Sequence, residues 1–186
     1  MTRHEALQLL HAHMANQNLR RHCYAVETVM RSLAHKFGED EDVWGLAGLL
    51  HDADYEETKT TPKLHTRKVV SWLQEEHADQ RIINAILAHG WKFVEGNPQP
   101  SNSMEWSLYT CDELTGLIVA VALVKGKELT NVSVESVLKK FPQKAFAAGV
   151  DRKQIALCEE KLGIPLADFV AIALTAMQSI HGDLGL

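Results

Sequence analysis

Six residues of this 186-residue chain are of types that could together hold metal ions: His22, the adjacent pair His51 and Asp52, His65, His89 and Asp112. Imidazole and carboxylate donors suit Zn, Fe or Mn, and a site that draws them from five separate segments can leave coordination positions open for water and substrate. The donor set therefore predicts a catalytic centre with one or two divalent transition-metal ions, not a structural clip. The chain has ten histidines. A single histidine on an apolar helix face is more often a hydrogen-bonded core or surface residue than a ligand, and His4, His11, His13, His35, His77 and His181 are read that way.

What separates the other four is the elements that must position them, which hydrophobic periodicity defines. His22 lies in a stretch from about Leu19 to Phe37 and shares the stripe of Val26, Val29 and Leu33, with Gly38 as a stop. A second helix runs from about Glu41 through Trp44, Ala47 and Leu50, and His51-Asp52 falls at its end. Neighbouring residues diverge by about 100° in mid-helix, but a last turn can bring both side chains to one ion. Pro62 fits the first position of another helix, in which His65 leads a stripe continuing with Val69 and Trp72. In the segment Asp79 to Gly90, Ile82, Ile86 and His89 share one face. A long helix from about Met104 to Val124 carries Asp112 among Leu108, Thr115 and Val119. A carboxylate on such a face needs a strong partner, because an unpaired buried charge is very costly.

A metal ion lowers the pKa of bound water and neutralises charge on a phosphoryl oxygen, and two ions about 3.5 to 4 Å apart can stabilise both the attacking and the leaving oxygen. A phosphomonoester or phosphodiester is the natural substrate of such a centre. Asp52 would orient the nucleophilic hydroxide. Asp54 could take its proton or donate to a leaving group, or could be a turn residue bonded to its own backbone. Together these two are the catalytic candidates. Phosphate also calls for cations, and Arg20, Arg21, Lys63, Arg67 and Lys92 flank the proposed ligands. Arg21 and Lys92 are the substrate-binding candidates, although charged residues of this kind usually belong to solvated helix faces. Trp91 could stack on a base, but its ordinary reading is a core aromatic.

The order His, His-Asp, His, His, Asp on successive helices resembles the HD superfamily of metal-dependent phosphohydrolases. The match runs over about residues 16 to 125, most strongly at Ala47-Gly48-Leu49-Leu50-His51-Asp52, Ala88-His89-Gly90 and Cys111-Asp112-Glu113-Leu114-Thr115-Gly116. The resemblance implies that His22, His51, Asp52 and Asp112 form the shared metal position. It implies that His65 and His89 hold a second ion, with Asp52 bridging a binuclear metal centre. Around Asp54-Tyr55-Glu56 the chain resembles a subgroup of small bacterial and archaeal HD proteins, which implies no single substrate. The expected function is a phosphohydrolase acting on a nucleotide or related small molecule through a metal-bound hydroxide. The superfamily also contains di-iron oxygenases resembling myo-inositol oxygenase, but His65 follows His51 by only fourteen positions, closer to the hydrolytic members. A non-catalytic nucleotide-binding HD module is the other alternative.

Composition fits a compact enzyme. The expected fold is all-α, one HD domain over residues 1–186, with a metal-binding helical bundle at about 16–125 and a C-terminal helical appendage at about 126–186. An apolar fraction of 46% supports one good core. Cys23, Cys111 and Cys158 form an odd count with no close pair, which argues for a reducing, cytoplasmic setting. Thr2 and Glu5 fit a capping box on a polar first helix, so no secretory leader is expected. The longest apolar run, Leu117 to Val124, is short of the ~20 residues that span a bilayer, so no membrane partner is expected. A net charge of -5 makes nucleic acid an unlikely partner, with Lys139, Lys140, Lys144, Arg152 and Lys153 as a local basic group. The stripe Phe169, Val170, Ala173, Leu174 and Met177 on the last helix must pack on the rest of the chain or on another subunit, which leaves a homo-oligomer open.

Overall fold

The computed structural model describes all 186 residues as an all-α fold with no β-strand. The helices are α1 (Arg3–His13), α2 (Gln17–Phe37), α3 (Glu41–Leu50), α4 (Tyr55–Thr58), α5 (Arg67–Glu75), α6 (Gln80–His89), α7 (Ser103–Val124), α8 (Val134–Lys140), α9 (Arg152–Leu162), α10 (Leu166–Ser179) and α11 (His181–Leu184). Short 3-10 turns occupy Pro62–Leu64 and Leu129–Asn131.

Local chemistry sets most of these boundaries. Thr2 and Glu5 form the expected capping box on α1. Asn16, Asp40, Asp79, Asn102 and Asp151 each accept amide hydrogens at the start of a helix, which satisfies donors that have no partner within the helix. Gly38 ends α2 in the left-handed conformation, φ 70°, which glycine adopts without a Cβ penalty.

Packing centres on two long helices. α2 lies along α3, and it also meets α7 and α10, while α7 meets α6 and α9. The α2–α3 contact is so close that a Cβ added at Gly48 would stand 2.9 Å from the Glu27 Cα and the Val26 carbonyl. One cluster of 45 buried apolar residues runs from Ala6 in α1 to Leu184 in α11. It includes the whole α10 stripe of Phe169, Val170, Ala173, Leu174 and Met177, so that stripe is covered within the chain. Between α8 and α9 the backbone is irregular, and the Arg152 guanidinium fastens it by donating to the carbonyls of Phe141, Phe146, Ala147 and Val150. That removes Arg152 from the basic group.

α7 is long and apolar enough to cross a membrane, and so are α9 and α10 taken together, though bent by 106°. This differs from the expectation based on the run Leu117 to Val124, because Leu108, Cys111 and Leu114 extend the apolar character of α7 past Asp112 and Glu113. Most of α7 is buried among its neighbours.

The N-terminal helix is fastened near the α4 segment by polar contacts. His13 Nδ1 lies 2.9 Å from Glu57, which also accepts from Lys68 at 2.9 Å, and the His13 ring stacks on Trp72 at 3.6 Å. The Asn16 amide donates to Glu56 at 2.9 Å. At the other end of α1, Arg3 forms a two-toothed ion pair with the buried Glu27, at 2.6 and 3.0 Å.

Candidate metal centre

The six residues singled out from sequence converge. His51 closes α3 as its C-cap with helical dihedrals, and Asp52 follows it directly, so the last turn aims both side chains at one place. His22 comes from the first half of α2, His89 from the final residue of α6 and Asp112 from the middle of α7. His65 does not come from the helix expected for it. Pro62–Leu64 is a separate 3-10 turn and α5 begins only at Arg67, because Thr66 takes a left-handed φ of 67° that breaks the expected continuous helix.

The geometry sorts the donors around Asp52. On one side, His22 Nε2 lies 2.9 Å from Asp112 Oδ1 and 3.2 Å from His51 Nε2, and Asp52 Oδ2 is 3.9 Å from His22 and 3.7 Å from His51. On the other, Asp52 Oδ1 is 3.4 Å from both His65 Nε2 and His89 Nε2, which are 3.3 Å apart. Two overlapping groups, His22 with His51 and Asp112, and His51 with Asp52 and His89, each bring ligand atoms within 4.8 Å of one another and could hold an ion.

The outer nitrogens explain why the inner ones face inward. His51 Nδ1 is 2.8 Å from the Gly48 carbonyl and His89 Nδ1 is 2.8 Å from the Ile86 carbonyl. A carbonyl only accepts, so both Nδ1 atoms carry a hydrogen, and each ring turns its Nε2 to the centre as the atom left to bind an ion. Thr115 donates its hydroxyl hydrogen to the Asp112 carbonyl and accepts from His22 Nδ1 at 3.3 Å. Asp54 Oδ1 accepts from His65 Nδ1 at 2.8 Å. Outer-shell bonds of this kind fix tautomer and ring orientation at metal sites. Four Nε2 atoms meeting in pairs at 3.2 and 3.3 Å call for a shared cation or proton between them, and this donor set fits a divalent ion.

Electrostatics of the protein alone agree. Burial works against charge on His51, but Asp52 and Asp112 outweigh it and raise its pKa to about 9. Burial likewise disfavours the Asp112 carboxylate, yet His22 and His51 hold it well below the usual range. Asp52 is lowered in the same way, against burial, by His51 and His89.

Three expectations are corrected. Asp54 is fully buried, with Oδ2 accepting from the Val69 amide at 3.1 Å, so both oxygens are committed. It orients His65, and it is neither free to handle a proton nor bonded to its own turn. Lys92 does not reach the centre. Its Nζ sits 4.1 Å over the Trp91 ring, which in turn packs against Trp106 and Tyr109. Arg21 lines a separate cavity beside His22, with Gly116 and Leu186.

A cavity of about 490 Å³ opens over Asp52, His65, His89 and Asp112. Its walls include Tyr55, Lys59, Phe93 and Glu113, none of which was selected from sequence. The spacing of Tyr55 and Lys59, i and i+4, would have signalled a shared face had the one-turn helix α4 been recognised. Another cavity of about 440 Å³, around Arg3, Tyr24 and Glu27, contains none of the six. His11, His13 and His35 pair with Tyr24, Glu57 and Glu41, away from the centre.

A family model for the HD domain matches residues 19–122, more than half of the chain and all six converging residues. The chain belongs to the HD domain family. Its members are mostly metal-dependent hydrolases and bind divalent metals. Helix α1 and helices α8 to α11 of this HD protein lie outside the matched region. A comparison with curated proteins found no match.

Proposed function

We propose that this HD protein is a phosphohydrolase with a binuclear centre, cleaving a phosphomonoester or phosphodiester of a nucleotide or related small molecule. The observation that carries this reading is the position of Asp52, whose two oxygens each face a different group of imidazoles. His22, His51 and Asp112 would hold one ion, His65 and His89 the other, and Asp52 both. Ions bound this way acidify a water molecule and neutralise charge on phosphoryl oxygens.

The chain's own groups supply the rest. The Nδ1 bonds to Thr115, Gly48, Asp54 and Ile86 hold the four rings rigid, so little reorganisation accompanies reaction. Lys59 is the cation in the cavity wall and would meet the phosphate. Glu113 lines the same cavity with Oε2 tied to the Asp151 amide at 2.8 Å, which leaves Oε1 to exchange a proton with a leaving oxygen. Burial and the neighbouring Asp112 raise the Glu113 pKa, in the direction that lets it keep a proton. The three cysteines are buried and unpaired, which suits a reducing cytoplasm.

The test is elemental analysis of anaerobically purified protein together with phosphate release from a panel of nucleotides and other phosphoesters. About two divalent ions per chain and release from at least one ester class are expected. Asp52→Ala should reduce bound metal and bring phosphate release to background. Full activity with normal metal content in that variant would sink the proposal, and oxygen consumption with mixed-valent iron in place of phosphate release would turn it toward an oxygenase.

A further inference from the structure

Five large apolar side chains are exposed, namely Tyr55, Leu64, Phe93, Leu123 and Val124. Two of them, Tyr55 at 43% and Phe93 at 62% exposure, line the cavity that contains Asp52, His65, His89 and Asp112. A hydrolytic centre for small polar phosphates has no need of exposed aromatic rings at its mouth.

Neither ring is there by looseness of the backbone. Lys92 takes a left-handed φ of 72°, so the chain turns sharply before Phe93, while the next residue, Val94, is buried. The amides of Phe93 and Val94 both donate to the Gly90 carbonyl, at 3.0 and 2.9 Å. Asn97 then pins the far end of the segment to the Leu87 carbonyl and the Thr66 hydroxyl, at 2.8 and 3.0 Å. Tyr55 opens α4, its amide bonded to the Asp52 carbonyl at 2.8 Å, and its ring meets His65 in a T-shaped contact at 5.8 Å. Both aromatic side chains are thus held by backbone that also carries, or directly follows, proposed ligands.

We infer that Tyr55 and Phe93 form a specificity site that grips a flat aromatic group on the leaving side of the phosphoester. The inference rests on the phosphohydrolase reading and adds what selects the substrate. Aromatic side chains offer large, rigid apolar faces and stack on planar rings at little entropic cost. A purely hydroxylated leaving group would instead lose hydration against them. Lys59, one helical turn beyond Tyr55 and in the same wall, places positive charge for the phosphate end of the same molecule. A volume of about 490 Å³ suits a small-molecule ligand.

The experiment is calorimetry of the metal-loaded full chain with a nucleoside 5′-monophosphate and with ribose 5-phosphate, which share a phosphate and a primary leaving alcohol and differ in the aromatic ring. The wild type should bind the nucleoside monophosphate about tenfold or more tightly than ribose 5-phosphate, in the range expected of a stacked ring. In Phe93→Ala and Tyr55→Leu that ratio should collapse toward one, with bound metal unchanged as the control for folding. Equal affinities in the wild type, a ratio that survives both substitutions, or a ratio fully kept in Phe93→Leu, which is apolar without a flat face, would each overturn the inference. Affinities are read at a temperature at which phosphate release during the titration is negligible, and release is assayed separately. Aromatic preference without phosphate release from any ester therefore supports the specificity site while the hydrolase reading falls, and phosphate release without aromatic preference does the reverse.

Discussion

Asp54 shows how much a residue can contribute without meeting the substrate. It joins His65 Nδ1 to the first turn of α5, and replacing it with Asn keeps the shape while removing the charge that holds that imidazole. Loss of an outer-shell partner typically weakens metal affinity by about 10- to 100-fold. Asp54→Asn should therefore weaken the weaker of two ions by that factor in a competition titration against a chelator, with the tighter ion held as before; two unchanged affinities would refute the role. His51 supplies a pH signature. Its pKa, raised to about 9, means that the metal-free protein carries a proton there near neutrality, which an ion must displace. Metal titrations at pH 7.5 should release protons, seen as a calorimetric enthalpy that depends on the buffer's ionisation enthalpy, and the dependence should fade above pH 9. The same shift stabilises the metal-free fold below the unfolded histidine value and withdraws that stability as pH rises through about 9. At this scale His22, His89 and Asp112 were legible because apolar stripes aim them inward, and His51 and Asp52 because they stand at a helix end. Asp54 and Lys92 were misread because a loop has no period from which to infer direction.

Among the elements, the α2–α3 pair sets the precision of the centre, since it carries His22, His51 and the Gly48 carbonyl that orients His51. A methyl group at Gly48 would strike the α2 backbone, which cannot move aside as a flexible side chain can. Gly48→Ala should cost about 1 to 3 kcal/mol in denaturant unfolding and should lower metal affinity as well, because the two helices part where the ligands meet. An unchanged midpoint would mean that the helices tolerate the shift. The end of α2 was readable from Gly38. The His65 segment was not, because His65, Val69 and Trp72 fit a helical frame on paper while Thr66 interrupts it with a positive φ. A side chain whose direction depends on one such dihedral gives no periodic signal.

For the whole molecule, the HD match ends at residue 122, yet the core does not. α9 meets α7, and Gln154 donates to the Tyr109 carbonyl at 2.6 Å, so the appendage buttresses the helix that carries Asp112. The sequence indicated these C-terminal helices by their stripes, but not which partner each would cover, since apolar periodicity marks a face without naming its neighbour. The polar clasp from His13 and Asn16 to Glu56 and Glu57 extends the reach of the N-terminal helix to the mouth of the cavity. Each of its surface pairs is weak alone. Their common effect falls on the outer side of the segment between Asp52 and Lys59, whose inner side Asp54 fastens to His65 and the Val69 amide. Amide hydrogen exchange should show that segment opening more often in a His13→Ala, Glu57→Ala double variant, with protection in α2 and α7 unchanged; equal exchange in both proteins would argue against it. Lys68 and His13 hold the Glu57 pKa below its ordinary value, so the clasp should also slacken as pH falls through the carboxylate range. On that outcome the first helix, outside the family match, would govern breathing at the mouth, and variation in its sequence would tune access to the centre with no change to any of the six converging residues.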